Sequence, residues 1–303
     1  RKFAISLDST IRSEDPTRYT TMAMHLSNDY AKYKLDQISQ VAGHNIYDGW
    51  YGGKVEDFGK DLDKIHNEEP KQIMFVSEYG AEGDQKVNTE HPQRMDYTGE
   101  YQRYFHEAYL RQIKQRSYLA GTSIWNEFDF SQPNIGGTTP HRNQKGMVTW
   151  NRKPKDVYYF YKANWNPAPM VYIATRDWLV RAGEKDSSST IDVYSNLDKL
   201  TLYVNAVAQK TEQPNDIKKC SWQVHLQNGK NIIAATGKLN GKTYSDEIII
   251  DYRAYKNNLS NSKIPFESLA INAGSNTQYL DPSGKVWIED RPYSKGSFGY
   301  IDG

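Results

Sequence analysis

Cysteine is almost absent from this sequence. Cys220 is the single one in 303 residues, which excludes an internal disulfide and a cysteine cluster for zinc, and its alternating neighbours mark it as a strand residue of a β-sandwich. An excess of charge of one sign is also missing: 38 Lys and Arg stand against 37 Asp and Glu, a formal net charge of +1. That balance argues against nucleic acid or an anionic membrane as the main partner. No stretch approaches the ~18 consecutive apolar residues of a membrane span, and the N-terminus has no signal-peptide layout. No set of His, Asp and Glu has ligand spacing, so the residues call for no metal and no cofactor.

Aromatic residues are plentiful, with 23 Tyr and 7 Trp. Flat faces of this kind suit stacking on sugar rings, although aromatic-rich β-domains have the same composition. The length suggests roughly two domains at about 100–200 residues each. Residues 1–14 show no clean period and no N-cap. Asp15-Pro16-Thr17-Arg18 is a turn, Tyr19 to Met24 reads as a buried strand, and Val41 to Ile46 as a second. Val55, Phe58, Leu62 and Ile65 have helical spacing, and Pro70 stops that helix.

The run Ile73-Met74-Phe75-Val76 then ends abruptly in Ser77-Glu78-Tyr79-Gly80, the pattern of a strand buried on both faces with a carboxylate where it stops. In parallel α/β sheets, chemistry is placed at the carboxyl ends of strands. Glu78 is therefore a candidate catalytic group; its plain alternative is the first solvated residue after a core strand. Tyr97 to Arg116 puts Tyr101, Tyr104, Phe105, Ala108 and Ile113 on one helical stripe. Leu119 to Trp125 is the next strand, 126–146 a polar loop, and Pro154 to Asn164 the last helix. Four strands alternating with helices imply right-handed βα units and a parallel sheet, half of an eight-fold barrel.

After Pro167-Ala168-Pro169 the period becomes two-fold. Val171 to Ile173, Thr190 to Ser195, Lys199 to Val204, Cys220 to Leu226, Asn231 to Thr236 and Ser245 to Tyr252 read as antiparallel strands of an immunoglobulin-like sandwich. The expected organisation is residues 1–166 as the C-terminal half of a (β/α)8 TIM barrel and 167–254 as the sandwich. Residues 255–268 read as a linker, and 269–303 as a segment too short to bury its own core.

Asn45-Ile46-Tyr47 with Gly49-Trp50-Tyr51, SEYGAE at 77–82, SIWNEFDF at 123–130 and KGMVTWNRKPKDVYYFYKANW at 145–165 together resemble the C-terminal part of a glycoside hydrolase family 2 enzyme, the β-galactosidase and β-glucuronidase group. VYSNLDKLTLYVN at 193–205 resembles the domain that follows the barrel in many members. The tail, with INAGSNTQYLDPSGKVWIEDRPY at 271–293, is similar to the start of a malectin-like carbohydrate-binding domain. The resemblance covers nearly the whole chain and is carried by four blocks in the right order.

This resemblance implies a retaining glycosidase. Such an enzyme needs two carboxyl groups about 5–5.5 Å apart, one to attack the anomeric carbon and one to serve as acid and base. The nucleophile maps onto Glu78. The acid/base is implied on a strand upstream of the Asp15-Pro16-Thr17-Arg18 turn, outside this chain, so the missing N-terminal part of the same enzyme is an expected partner. Asn126-Glu127 repeats the family's Asn-Glu dipeptide but follows the strand that carries Trp125, which makes Glu127 a charged exit-loop residue. Glu82 and Glu90 lie in the loop after the nucleophile, within reach of a substrate, and their plainer reading is as solvated loop acids. Tyr47 is implied to donate its hydroxyl to the nucleophile, Trp125 to stack under the sugar, and His25 to line the pocket. Asn143 and Lys145 form an Asn-x-Lys element resembling the one with which β-glucuronidases hold a uronate. The neighbouring blocks look more like β-galactosidases, so a terminal β-galactoside in an oligo- or polysaccharide is the expected substrate, with β-glucuronide as the alternative. A different class, a non-catalytic carbohydrate-binding or spacer fragment, also fits the β-domains. The family resemblance implies a periplasmic or secreted bacterial protein, and leaves room for a homo-oligomer.

Overall fold

The computed structural model describes residues 1–185, 187–255, 259 and 268–301. Most of the expected linker, 255–268, lies outside the described residues. The chain opens with helix α1, Lys2–Glu14, where the sequence offered neither period nor cap. The i,i+4 ion pair of Asp8 with Arg12 at 2.7 Å supports it, and no α1 residue is buried. Phe3, Leu7 and Ile11 therefore form an exposed apolar stripe. Strand β1, Thr21–His25, is also more exposed than expected, with Met24 its one buried residue. The cause is its place at the sheet edge, with a neighbour on one side only.

A short helix α2 (Asn28–Lys32) leads to β2, Val41–Asn45. Helix α3, Asp57–Glu68, buries Phe58 and Leu62 as the spacing predicts, and returns the chain to β3, Ile73–Glu78. A two-residue strand β4 (Val87–Asn88) lies in the segment that follows. Thr98 then caps helix α4, Gly99–Lys114, its hydroxyl accepting from the Tyr101 N–H at 3.0 Å. The buried row of α4 is Tyr101, Phe105 and Tyr109 at i+4 spacing, whereas Tyr104 is exposed. Strand β5, Leu119–Thr122, completes a four-stranded sheet of order β1-β2-β3-β5 in which every pairing is parallel. Under it Phe58, Tyr79 and Phe105 surround Tyr109, with Phe58 and Phe105 stacked on it at 3.9 and 4.1 Å.

The segment expected as a polar loop, 126–146, is a hairpin instead. Strand β6 (Phe130–Ser131) pairs antiparallel with β7 (Arg142–Asn143). Its turn-rich composition hid this ladder. Helix α5, Asp156–Trp165, ends the α/β part.

Two sheets follow. One has the order β13-β10-β8, the other β12-β11-β14-β15-β9. Their strands are β8 (Val171–Ile173), β9 (Val180–Glu184), β10 (Ser188–Ser195), β11 (Leu200–Val204), β12 (Val207–Ala208), β13 (Lys219–His225), β14 (Gly229–Leu239) and β15 (Lys242–Tyr255). Ile191, Val193, Leu202, Trp222, Ile233 and Ile250 fill the space between the sheets. Cys220 joins them, and burial pushes its thiol up to about 12. Strand β9 escaped the sequence reading because it carries Arg181 and Gly183 where strands favour β-branched residues.

The tail forms β16 (Ile271–Asn272), β17 (Gln278–Leu280) and β18 (Val286–Glu289). They join β4 in a sheet of order β16-β18-β17-β4, so the tail pairs with the segment that leaves Glu78. Val286, Ile288 and Phe298 bury themselves with Ala182 of β9. Charged groups bridge α4 and α5 to β10 and β13: Arg103 reaches Asp192 at 3.1 Å and Asp156 at 3.5 Å, and Lys219 reaches Glu107 at 2.9 Å. Among the described residues, no helix is long and apolar enough to cross a membrane.

Candidate active site

Parallel register places three polar residues in one row at the carboxyl end of the first sheet: His25 beside Asn45, and Asn45 beside Glu78. The backbone stays laced beyond the last strand residues. The Ile46 N–H donates to the Glu78 carbonyl at 2.9 Å, and the Trp125 N–H to the Tyr79 carbonyl at 2.8 Å. These bonds fix the exits on which Tyr47, Glu78 and Trp125 sit.

Tyr47 donates its hydroxyl to Glu78 Oε2 at 2.8 Å. Burial, reinforced by the Glu78 carboxylate it bonds, drives the phenol's ionisation far above its ordinary range. Tyr47 therefore remains a donor at any working pH. Trp125 is half-buried and meets Phe130 edge-on at 6.0 Å. Gly80 lets this indole's strand approach, since a Cβ on residue 80 would overlap the Trp125 carbonyl oxygen. Two further residues named from the sequence have surroundings of their own. His25 is exposed, and its Nδ1 shares a hydrogen bond with Tyr30 Oη at 3.1 Å. Glu127 is exposed in the exit loop.

Glu82 overturns its reading as a solvated acid. It is 2% exposed; Oε2 accepts from the Gln144 N–H at 3.0 Å and Oε1 from Lys145 Nζ at 3.4 Å. Glu90 is remote from Glu78's partners, 3.6 Å from Arg181 and in contact with the Thr190 N–H across the sandwich. Lys145 is 0% exposed. Its ammonium donates to Tyr51 Oη at 2.8 Å and lies 4.8, 5.6 and 5.8 Å from the rings of Tyr51, Trp50 and Tyr47. A cation on aromatic faces with one carboxylate partner is a stable way to bury an amine. Asn143 supports the same turn: Oδ1 accepts from the Lys145 N–H at 3.1 Å and Nδ2 donates to Gln132 at 2.9 Å.

A second buried lysine escaped the sequence reading. Lys155 Nζ donates to Asp129 Oδ1, the Gly83 carbonyl and the Gln144 carbonyl, each at 2.8 Å. Gln102 of α4 adds a bond from Nε2 to the Ala81 carbonyl at 3.0 Å. The hairpin, the segment after Glu78 and α4 are thus knitted into one wall. No local pattern signals Lys155, because its partners come from three separate stretches.

No family model matches the chain. Among characterised proteins it is 32% identical over 263 residues to a β-glucuronidase of Bacteroides fragilis, covering 83% of this chain and 36% of that protein. A β-galactosidase of Bacteroides ovatus is 26% identical over 44% of this chain and 16% of its own. Bacteroides uniformis β-glucuronidase 2, solved covalently bound to cyclophellitol-6-carboxylate aziridine, matches 99% of this chain and 36% of its own at TM-score 0.91 and 34% identity. The relatives that share this fold are glycosidases. More particularly, the chain belongs to glycoside hydrolase family 2, in the group of β-glucuronidases and β-galactosidases. It spans about a third of the length of the B. fragilis protein, 36%.

Proposed function

We propose that this chain is the nucleophile-bearing part of a retaining β-glycosidase, with Glu78 as the nucleophile. The observation that carries this is the Tyr47 hydroxyl 2.8 Å from Glu78 Oε2, at the carboxyl end of a parallel sheet. A carboxylate held by a permanent donor has one oxygen fixed and the other directed at its target. In the first step it attacks the anomeric carbon and the glycosidic C–O bond breaks, with a proton supplied to the leaving oxygen by an acid carried upstream. In the second step, the same group takes a proton from water, which attacks the anomeric carbon and releases Glu78. The half-buried Trp125 supplies a ring face for the sugar. A bare binding or spacer role gives no account of the Tyr47–Glu78 pair.

Residues 1–166 are then the C-terminal half of a (β/α)8 barrel, supported by the all-parallel order β1-β2-β3-β5 with two open edges. Residues 167–254 are an immunoglobulin-like sandwich, 255–268 the linker and 269–303 the start of a malectin-like segment, the last resting on resemblance alone.

For the sugar, one observation favours a β-glucuronide over the expected β-galactoside: the Lys145 ammonium shares the Tyr47 ring with Glu78. A cation beside the nucleophile suits a carboxylate at C6. Tyr51, 63% exposed, is bonded to this ammonium, and in this reading a substrate carboxylate takes the place of that hydroxyl. The test compares nitrophenyl glucuronide with nitrophenyl galactoside in the intact enzyme and its Lys145→Met variant. Loss of a charged hydrogen bond predicts a fall of about 10- to 150-fold in glucuronide kcat/KM, with galactoside turnover unchanged. Equal losses on both sugars would return the reading to the galactoside.

A further inference from the structure

Glu82 takes no part in the chemistry just described, yet it is among the most buried carboxylates of the chain. A buried carboxylate is costly unless it is paired and hydrogen-bonded. Both of its partners come from one dipeptide: the Gln144 N–H at 3.0 Å and the Lys145 ammonium at 3.4 Å. The backbone repeats the link, with the Gly83 N–H donating to the Gln144 carbonyl at 3.1 Å. Lysine has a flexible stem and three equivalent donors. Its ammonium acquires a fixed position only from what surrounds it. Here one N–H goes inward to Glu82 and one outward to Tyr51; the third has no hydrogen-bond partner among the described residues and is the one a ligand would take.

We infer that Glu82 is a positioning residue for Lys145, holding the ammonium at the place where the C6 carboxylate of an acidic sugar is received, and thereby setting the preference for acidic over neutral sugars. The inference rests on the glucuronide reading above. Glu82 follows Glu78 on the same segment, past Gly80, whose lack of a side chain lets that segment lie against Trp125. One stretch of backbone therefore carries the group that attacks C1 and the group that holds the cation for C6. The spacing between the two ends of the sugar is built into residues 78–82.

The experiment is a double-mutant cycle on the intact enzyme with nitrophenyl glucuronide, using Glu82→Gln, Lys145→Met and the pair together. Glutamine keeps an acceptor for the Gln144 N–H and removes the charge facing Lys145. Glu82→Gln should raise KM about tenfold or more with kcat within about threefold, the pattern of lost substrate binding. The double variant should be no worse than Lys145→Met alone, since Glu82 acts only through that lysine. An unchanged KM in Glu82→Gln, or losses that multiply in the double variant, overturns the assignment. Glu82→Asp, which keeps the charge on a shorter arm, should recover part of the KM. If neither variant folds, Glu82 is a structural ion-pair partner and the positioning role is wrong. If Lys145→Met alone leaves glucuronide KM unchanged, the glucuronide reading has failed, a result visible before any Glu82 variant is compared.

Discussion

A phenol 2.8 Å from one carboxylate oxygen holds that oxygen of Glu78 in place through a hydrogen bond. Tyr47→Phe removes that donor while leaving the ring that packs edge-on against Tyr51 at 5.2 Å. A charge-assisted bond of this kind predicts a fall of about 10- to 150-fold in kcat on nitrophenyl glucuronide, with Tm close to the parent in a thermal melt. An unchanged kcat would mean that Glu78 is oriented by something else. Residues of this sort were legible in the sequence because each sits where a predicted strand stops, as Glu78 does after Ile73-Met74-Phe75-Val76. Glu82 was not, because its partner Gln144 is 62 positions away and nothing local announces that Gly80 and Ala81 carry the chain inward. His25 is a residue that strand register alone locates. Register put it in the right row, and its exposed ring pairs with Tyr30.

Long helices with a buried face were legible, and α1, which buries none of its residues, was not. Helix α3 and helix α4 follow their apolar spacing, whereas α1 has a stripe with nothing to bury against and was missed. The buried faces also hold titratable groups whose effects can be measured. Glu100, in the first turn of α4, is buried, and desolvation pushes its carboxyl up to about 7 despite the Arg103 guanidinium, which acts in the other direction. The folded chain holds this proton more tightly than the unfolded chain does. Its contribution to stability is therefore complete below about pH 4.5 and is lost as pH rises through about 7. Glu100→Gln carries no such proton. The Tm of the parent should fall relative to the variant between pH 4.5 and 7.5, by thermal melts at matched ionic strength, and the two should run parallel below that range. His106 works with the opposite sign: burial holds its imidazole down at about 3, so its stability is lost as pH falls. Present in both proteins, it cancels from the difference. Parallel curves throughout would show that Glu100 is solvated.

At the scale of the molecule, the change of period after Pro167-Ala168-Pro169 marked the passage from α/β to antiparallel strands, because side-chain periodicity reports burial directly. The docking of the tail was beyond such a reading. Strand β17 pairs with β4 at Gln278↔Asn88, a contact between segments far apart in the sequence that no periodicity encodes. The same holds for surfaces that face outward here. Phe3, Leu7 and Ile11 of α1 are exposed, and β1 and β5 each have one free edge. In the proposed half-barrel these are the surfaces that meet the other strands, and unpaired edges with apolar flanks associate when left open. In the same proposal the acid/base is carried by that upstream part, and protonation of the leaving group contributes about 10²–10⁴-fold to rate. Residues 1–303 expressed alone should therefore elute above monomer mass in size-exclusion chromatography and show no turnover of nitrophenyl glucuronide or galactoside. The intact enzyme should be active and lose that activity in Glu78→Gln. Robust turnover by the isolated chain would mean that a second carboxyl group within it serves Glu78, and Glu127 in the exit loop would be the first to substitute.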